Sequence, residues 1–105
     1  MAALRIIQGP DEGRLVALDR PEVVVGRNAD CDVVLASPAV ARKHVRLTRE
    51  GDRWYVEDLN TLGGTWVNGA QIRGRTLLQE GDRLQLCAWV LAFAEDVSGA
   101  VAEGN

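Results

Sequence analysis

Residues 43–59 constrain the fold more tightly than any other stretch. Val45 and Leu47 alternate with Arg46 and Thr48, the chain turns at Glu50-Gly51-Asp52, and Trp54 and Val56 then alternate with Tyr55 and Glu57. A period of two sends successive side chains to opposite faces of a strand. The stretch therefore reads as a hairpin with Val45, Leu47, Trp54 and Val56 on a buried face. His44, Arg46 and Thr48 are expected on the other face.

The flanking sequence repeats this pattern in short pieces. Ala3 to Gln8 reads as a first strand, Gly9 to Gly13 as a turn, and Arg14 to Asp19 as a returning strand that Arg20-Pro21 ends. Glu22 to Gly26 is Val-rich, as a buried strand is, and Asp32 to Leu35 is a short strand with Val33 and Leu35 on one face. Thr65 to Val67 runs into Asn68-Gly69, a pair that accepts the positive φ angles of a two-residue hairpin. Gln71 to Leu78 is irregular and strand-like, and Glu80-Gly81-Asp82 turns the chain into Arg83 to Ala94. In that last run the apolar phase shifts from even (Leu84, Leu86) to odd (Leu91, Phe93). A register slip would flip every side chain, so a bend, bulge or tight turn is expected near Cys87-Ala88-Trp89. No amphipathic helix is evident. Ten to eleven short strands predict an all-β, two-sheet antiparallel sandwich, with an open barrel as the alternative. Residues 1–95 form the expected domain, and 96–105 a flexible tail or the start of a linker.

The 105 residues suffice for one domain. A net charge of −3 argues against a broad nucleic-acid footprint. No apolar run reaches the ~18–20 residues of a spanning helix, and residues 1–8 lack a secretory pattern, so no membrane is expected and the default location is cytoplasmic. Two cysteines and one histidine match no zinc spacing. The lone His44 excludes most general-base schemes. Cys31 with His44 lacks an orienting third group for a thiol nucleophile. Asp30-Cys31-Asp32 lacks the ligand set of a calcium loop, and Glu57 and Asp58 point to opposite faces of a strand. Catalysis, a metal and a cofactor are therefore not expected. Trp54, Trp66 and Trp89 are expected to pack in the core or on a sheet.

What remains is a loop, Ser37-Pro38-Ala39-Val40-Ala41-Arg42-Lys43-His44, preceded by Val25-Gly26-Arg27 and followed by Gly63-Gly64-Thr65-Trp66-Val67-Asn68-Gly69. Together with Cys31-Asp32-Val33-Val34-Leu35, Asp58-Leu59-Asn60 and Glu80-Gly81-Asp82, these motifs resemble in order and spacing a forkhead-associated (FHA) domain over nearly the whole chain. The resemblance implies a β-sandwich whose loops at one end bind phosphothreonine peptides, without cofactor or catalysis. The physical logic agrees. A phosphate brings about −1.5 to −2 charge and three acceptor oxygens, and arginine offers a planar fork of donors that fits them. By resemblance, Arg27 is the phosphate arginine and Arg42 the basic position after the family serine, with Lys43 beside it. Gly26, His44, Gly64, Thr65 and Asn68 give structural support.

Three family binding positions are substituted. The serine of Ser-Arg-x-His is Ala41, the asparagine of Asn-Gly-Thr is Gly63, and the threonine often found before it is Leu62. Each lost hydrogen bond to a charged group removes about 1.5–3 kcal/mol, roughly ten- to a hundredfold in affinity. Ser37 and Thr61 are candidates to supply a substitute hydroxyl. The sequence thus points to a non-catalytic protein-interaction module whose partner is a protein carrying a phosphothreonine peptide, bound weakly. The alternative is phosphate-independent docking or self-association on the same scaffold, with Leu62 either packed under its loop or exposed for a partner.

Overall fold

The computed structural model describes residues 1–96. Those residues form eleven strands and no helix: β1 (Ala3–Gln8), β2 (Leu15–Ala17), β3 (Glu22–Gly26), β4 (Val33–Val34), β5 (Val45–Glu50), β6 (Arg53–Asp58), β7 (Trp66–Val67), β8 (Ala70–Gln71), β9 (Thr76–Leu78), β10 (Arg83–Leu86) and β11 (Trp89–Ala94). A six-stranded sheet runs β2-β1-β11-β10-β7-β8, and a five-stranded sheet runs β4-β3-β5-β6-β9. The β3–β4 pair is parallel and the other pairs are antiparallel. The sheets form a sandwich rather than an open barrel.

The alternating side chains build the core. Leu4, Ile6, Leu84, Leu86, Leu91 and Phe93 of the first sheet meet Val23, Val25, Val45, Leu47, Trp54 and Val56 of the second, all buried. Trp89 joins them and Trp66 is half-buried. The phase shift in 83–94 is a two-strand hairpin: Leu86 pairs with Trp89, and Cys87 takes φ 54° between them. Asn68 and Gly69 have φ 52° and 84°, as their hairpin between β7 and β8 requires. The Asn68 amide donates to Asp82 at 2.9 Å, and its oxygen accepts the Arg83 N–H at 2.9 Å.

Several expectations change. The strand expected over residues 14–19 covers only Leu15–Ala17. His44 does not share the outer face with Arg46 and Thr48; it is fully buried. The strand begins only at Val45, so the alternation has no hold on the residue before it. Asp96 pairs with the Met1 ammonium at 2.9 Å. The rest of the expected tail, from Val97 on, lies outside the described residues. Among the described residues no helix is long and apolar enough to cross a membrane.

Candidate functional site

The site is made where the end of β3 and two loops, 35–44 and 59–65, converge. Close contact begins at Gly26. A Cβ at this position would stand 2.2 Å from the Arg42 carbonyl oxygen and 2.9 Å from the Lys43 Cα. Without a side chain there, the loop backbone lies directly on β3. The Arg27 N–H then donates to the Ala41 carbonyl at 2.9 Å, Asn28 N–H to Arg42 at 3.1 Å, and His44 N–H to Val25 at 2.8 Å. Cys31, buried beneath, donates its S–H to the same Arg42 carbonyl at 3.2 Å. Burial pushes its thiol pKa up, which disfavours the thiolate, and the side chain packs under the loop.

His44 joins the two loops. Its Nδ1 accepts the Ala41 N–H at 3.1 Å. The ring proton therefore sits on Nε2, which donates to the Gly64 carbonyl at 2.9 Å and lies 3.3 Å from the Thr61 hydroxyl oxygen. Gly64 takes φ 77° to turn that carbonyl.

A second hub is Asp58, which the sequence reading named only in a motif and as a poor acid pair with Glu57. Its carboxylate accepts the Thr61 N–H at 2.8 Å, the Thr61 hydroxyl at 2.7 Å and the Thr65 hydroxyl at 2.6 Å. The Thr61 oxygen in turn accepts the Gly64 N–H at 3.0 Å. Burial alone would raise the Asp58 pKa, but the donated bonds from Thr65 and Thr61 outweigh it and hold the carboxyl below its usual range. The signal was present as Asp58-x-x-Thr61 and Thr65, a spacing in which the loop curls back on its own acid.

Between the two loops lies an open cavity of about 350 Å³ beside Arg27, Val40, Ala41, Thr61, Leu62 and Gly63. Arg27 is tethered through Nε–H to the Val40 carbonyl at 3.0 Å and has no ion pair among the described residues. Arg42 and Lys43 are exposed in the same loop but do not line the cavity. The Ser37 oxygen is occupied by the Ala39 N–H at 3.2 Å, and Ser37 is outside the lining. Thr61 lines the cavity with its hydroxyl proton committed to Asp58. Leu62 is wholly solvent-exposed at the loop tip, so the alternative of packing under the loop does not hold. A larger groove of about 590 Å³ lies along β2 and β4. Its two arginines are each set against an aspartate, Arg20 with Asp32 at 2.9 Å and Arg14 with Asp11 at 3.8 Å, so it offers an anion much less than Arg27 does. No cluster of three His, Cys, Asp or Glu side chains suited to a metal occurs among the described residues.

Comparison with known proteins bears on this geometry. The model of the FHA domain family matches residues 23–87. The chain is 34% identical over 92 residues to an oxoglutarate dehydrogenase inhibitor of Corynebacterium jeikeium, covering 88% of this chain and 63% of that protein. It is 34% identical over 92 residues to the glycogen accumulation regulator GarA of Mycolicibacterium smegmatis, covering 88% of this chain and 58% of that one. It thus spans about three fifths of the length of these curated relatives. Among solved structures it is similar to Mycobacterium tuberculosis EmbR in complex with a low affinity phosphopeptide, with TM-score 0.85 and 29% identity over 90% of this chain and 24% of that chain.

Proposed function

The chain belongs to the FHA domain family, and from that premise we propose that it is a protein-interaction module that binds a phosphothreonine peptide at the cavity beside Arg27. The observation that carries this is the unpaired guanidinium, tethered by Nε at the edge of a cavity that both family loops line. Tethering through one nitrogen leaves the two terminal amino groups for phosphate oxygens. Buried His44 and the Asp58 hub hold both loops in place before any ligand arrives, which limits the ordering cost of binding. With Ala41 and Gly63 in place of two polar family residues, the affinity rests on Arg27. Arg42 and Lys43 add exposed positive charge that favours encounter with an anionic peptide. As an interaction module of this kind, the chain would act on a partner's state by occupying it rather than by turning it over. The proposed setting is cytoplasmic, and the free thiols of Cys31 and Cys87 fit a reducing compartment.

The test is calorimetric titration with a degenerate phosphothreonine peptide library and its unphosphorylated twin. Binding is expected for the phosphorylated library only, weakening as salt screens the charges. Arg27→Ala should cost about ten- to a hundredfold, the worth of a hydrogen bond to a charged group. Ala41→Ser, which returns a hydroxyl to the lining, should tighten binding by about ten- to a hundredfold if the hydroxyl reaches the phosphate, the same worth of a bond to a charged group. Equal binding of both libraries by the wild type would refute the proposal.

The full exposure of Leu62 supports a second reading, in which the same loop tip docks a partner or a second copy without phosphate. Sedimentation of the protein alone, and binding of the unphosphorylated library, distinguish the two.

A further inference from the structure

We infer that Cys87, in the turn between β10 and β11, is a positioning residue for Arg27, its thiol holding the stretch of loop against which the guanidinium is set; this rests on the reading of the cavity as a phosphopeptide site. Cys87 takes φ 54°, in the left-handed region that residues with a side chain enter at a cost and glycine enters freely. Glycine would serve the turn itself better. The half-buried cysteine side chain instead reaches the 35–44 loop, where its S–H donates to the Ala39 carbonyl at 3.0 Å across a separation of 48 residues. Burial pushes the Cys87 thiol pKa up, so the donor proton is retained at neutral pH.

The turn is a firm support. Gly9 lies so close to it that a Cβ there would stand 2.7 Å from the Ala88 carbonyl oxygen, and the Trp89 indole N–H donates to the Pro10 carbonyl at 3.1 Å. The tip of the 35–44 loop has few other holds. From Ser37 to Val40 its own bonds are local: Ala39 N–H to the Ser37 hydroxyl oxygen at 3.2 Å and Val40 N–H to the Ser37 carbonyl at 3.0 Å. Among the described residues, two hydrogen bonds tie this tip to the rest of the fold. One is the Cys87 thiol on Ala39, and the other is the Arg27 Nε–H on the Val40 carbonyl at 3.0 Å. The Val40 side chain is buried, but apolar contact is non-directional and does not aim the carbonyl. The two bonds fall on adjacent residues. Cys87 fixes the Ala39 carbonyl, Ala39 leads into Val40, and the Val40 carbonyl holds the guanidinium by Nε. Without the thiol, the tip populates arrangements in which Val40 no longer sets Arg27. The apparent affinity then falls with the fraction of molecules that keep the competent arrangement.

The phosphothreonine library and its unphosphorylated twin would be titrated into wild type, Cys87→Ala, Cys87→Gly and Cys87→Ser, each also in an Arg27→Ala background, with urea unfolding giving the folded fraction. Cys87→Ala and Cys87→Gly should weaken phosphopeptide binding by roughly three- to tenfold, the worth of one hydrogen bond. The glycine variant should do so even though it relieves the backbone cost of the turn. Cys87→Ser, which keeps a donor, should bind within about twofold of wild type. In the Arg27→Ala background the alanine and glycine substitutions should change affinity by less than about twofold, because the residue they act through is gone. A role in the fold alone would weaken both backgrounds by the same factor. Equal losses in both backgrounds, a serine variant as weak as the alanine one, or no loss in Cys87→Ala and Cys87→Gly, with phosphate dependence intact, would overturn this inference and leave the proposed function standing. Absence of phosphate-dependent binding by the wild type would overturn both.

Discussion

Gly26→Ala is expected to destabilise the domain by about 3 kcal/mol or more, and to abolish the proposed phosphopeptide binding in whatever protein remains folded. The new Cβ would sit 2.2 Å from the Arg42 carbonyl oxygen, 2.8 Å from its carbonyl carbon and 2.9 Å from the Lys43 Cα. All three are backbone atoms, so no rotamer change relieves the clash. Overpacking in a core costs about 1–3 kcal/mol when side chains can shift, and a backbone neighbour puts this site at or beyond the upper end. Relief requires the loop to lift from β3, which stretches the bonds from Arg27 N–H to Ala41, Asn28 N–H to Arg42 and His44 N–H to Val25. Those bonds also position Ala41 and His44 at the cavity. Urea unfolding reads the stability, and peptide titration reads the site. A variant with wild-type midpoint and wild-type affinity would show that the loop can move without cost.

The same contact shows how far the sequence could be read. Strand positions were legible wherever both faces of a sheet impose opposite demands. Val45, Leu47, Trp54 and Val56 are all buried, as their alternation requires, and the phase shift after Leu86 became a turn at Cys87. Asn68-Gly69 was legible because few pairs accept two successive positive φ values. Beyond strand ends the pattern loses its meaning. His44 looked like an outward residue by parity, yet the loop folds over it and satisfies both ring nitrogens. Asp58 looked like one half of a poor acid pair, because its partners, Thr61 and Thr65, reach it only after the 59–65 loop has curled. Arg27, Arg42 and Lys43 are near one another in the chain's motifs, but only Arg27 lines the cavity. The direction of a loop side chain depends on the whole loop, and no local periodicity encodes it.

Asp58 is where the loop conformation and the chemistry of a single acid meet, so its removal is the other large effect expected. Asp58→Ala strips the acceptor from three donors at once: the Thr61 N–H, the Thr61 hydroxyl and the fully buried Thr65 hydroxyl. Each bond to an ionised carboxylate is worth about 1.5–3 kcal/mol. They share one group and are not additive, so a loss of about 3 kcal/mol is expected, on the order of 15 °C in Tm for a domain of this size. The effect should depend on pH with a definite sign. The folded protein holds the Asp58 carboxyl below its usual range, so folding favours the ionised form. That contribution is complete above the ordinary aspartate value of about 3.9 and is lost as pH falls through the lowered folded value. The stability gap between wild type and Asp58→Ala should therefore be constant from neutral pH down to about pH 5 and narrow below about pH 4. Unfolding curves at pH 7, 5, 4 and 3 measure it. A gap unchanged at pH 3 would mean that the hydroxyls hold the loop through a neutral acid as well as through the carboxylate, and that the charge on Asp58 contributes nothing to the fold.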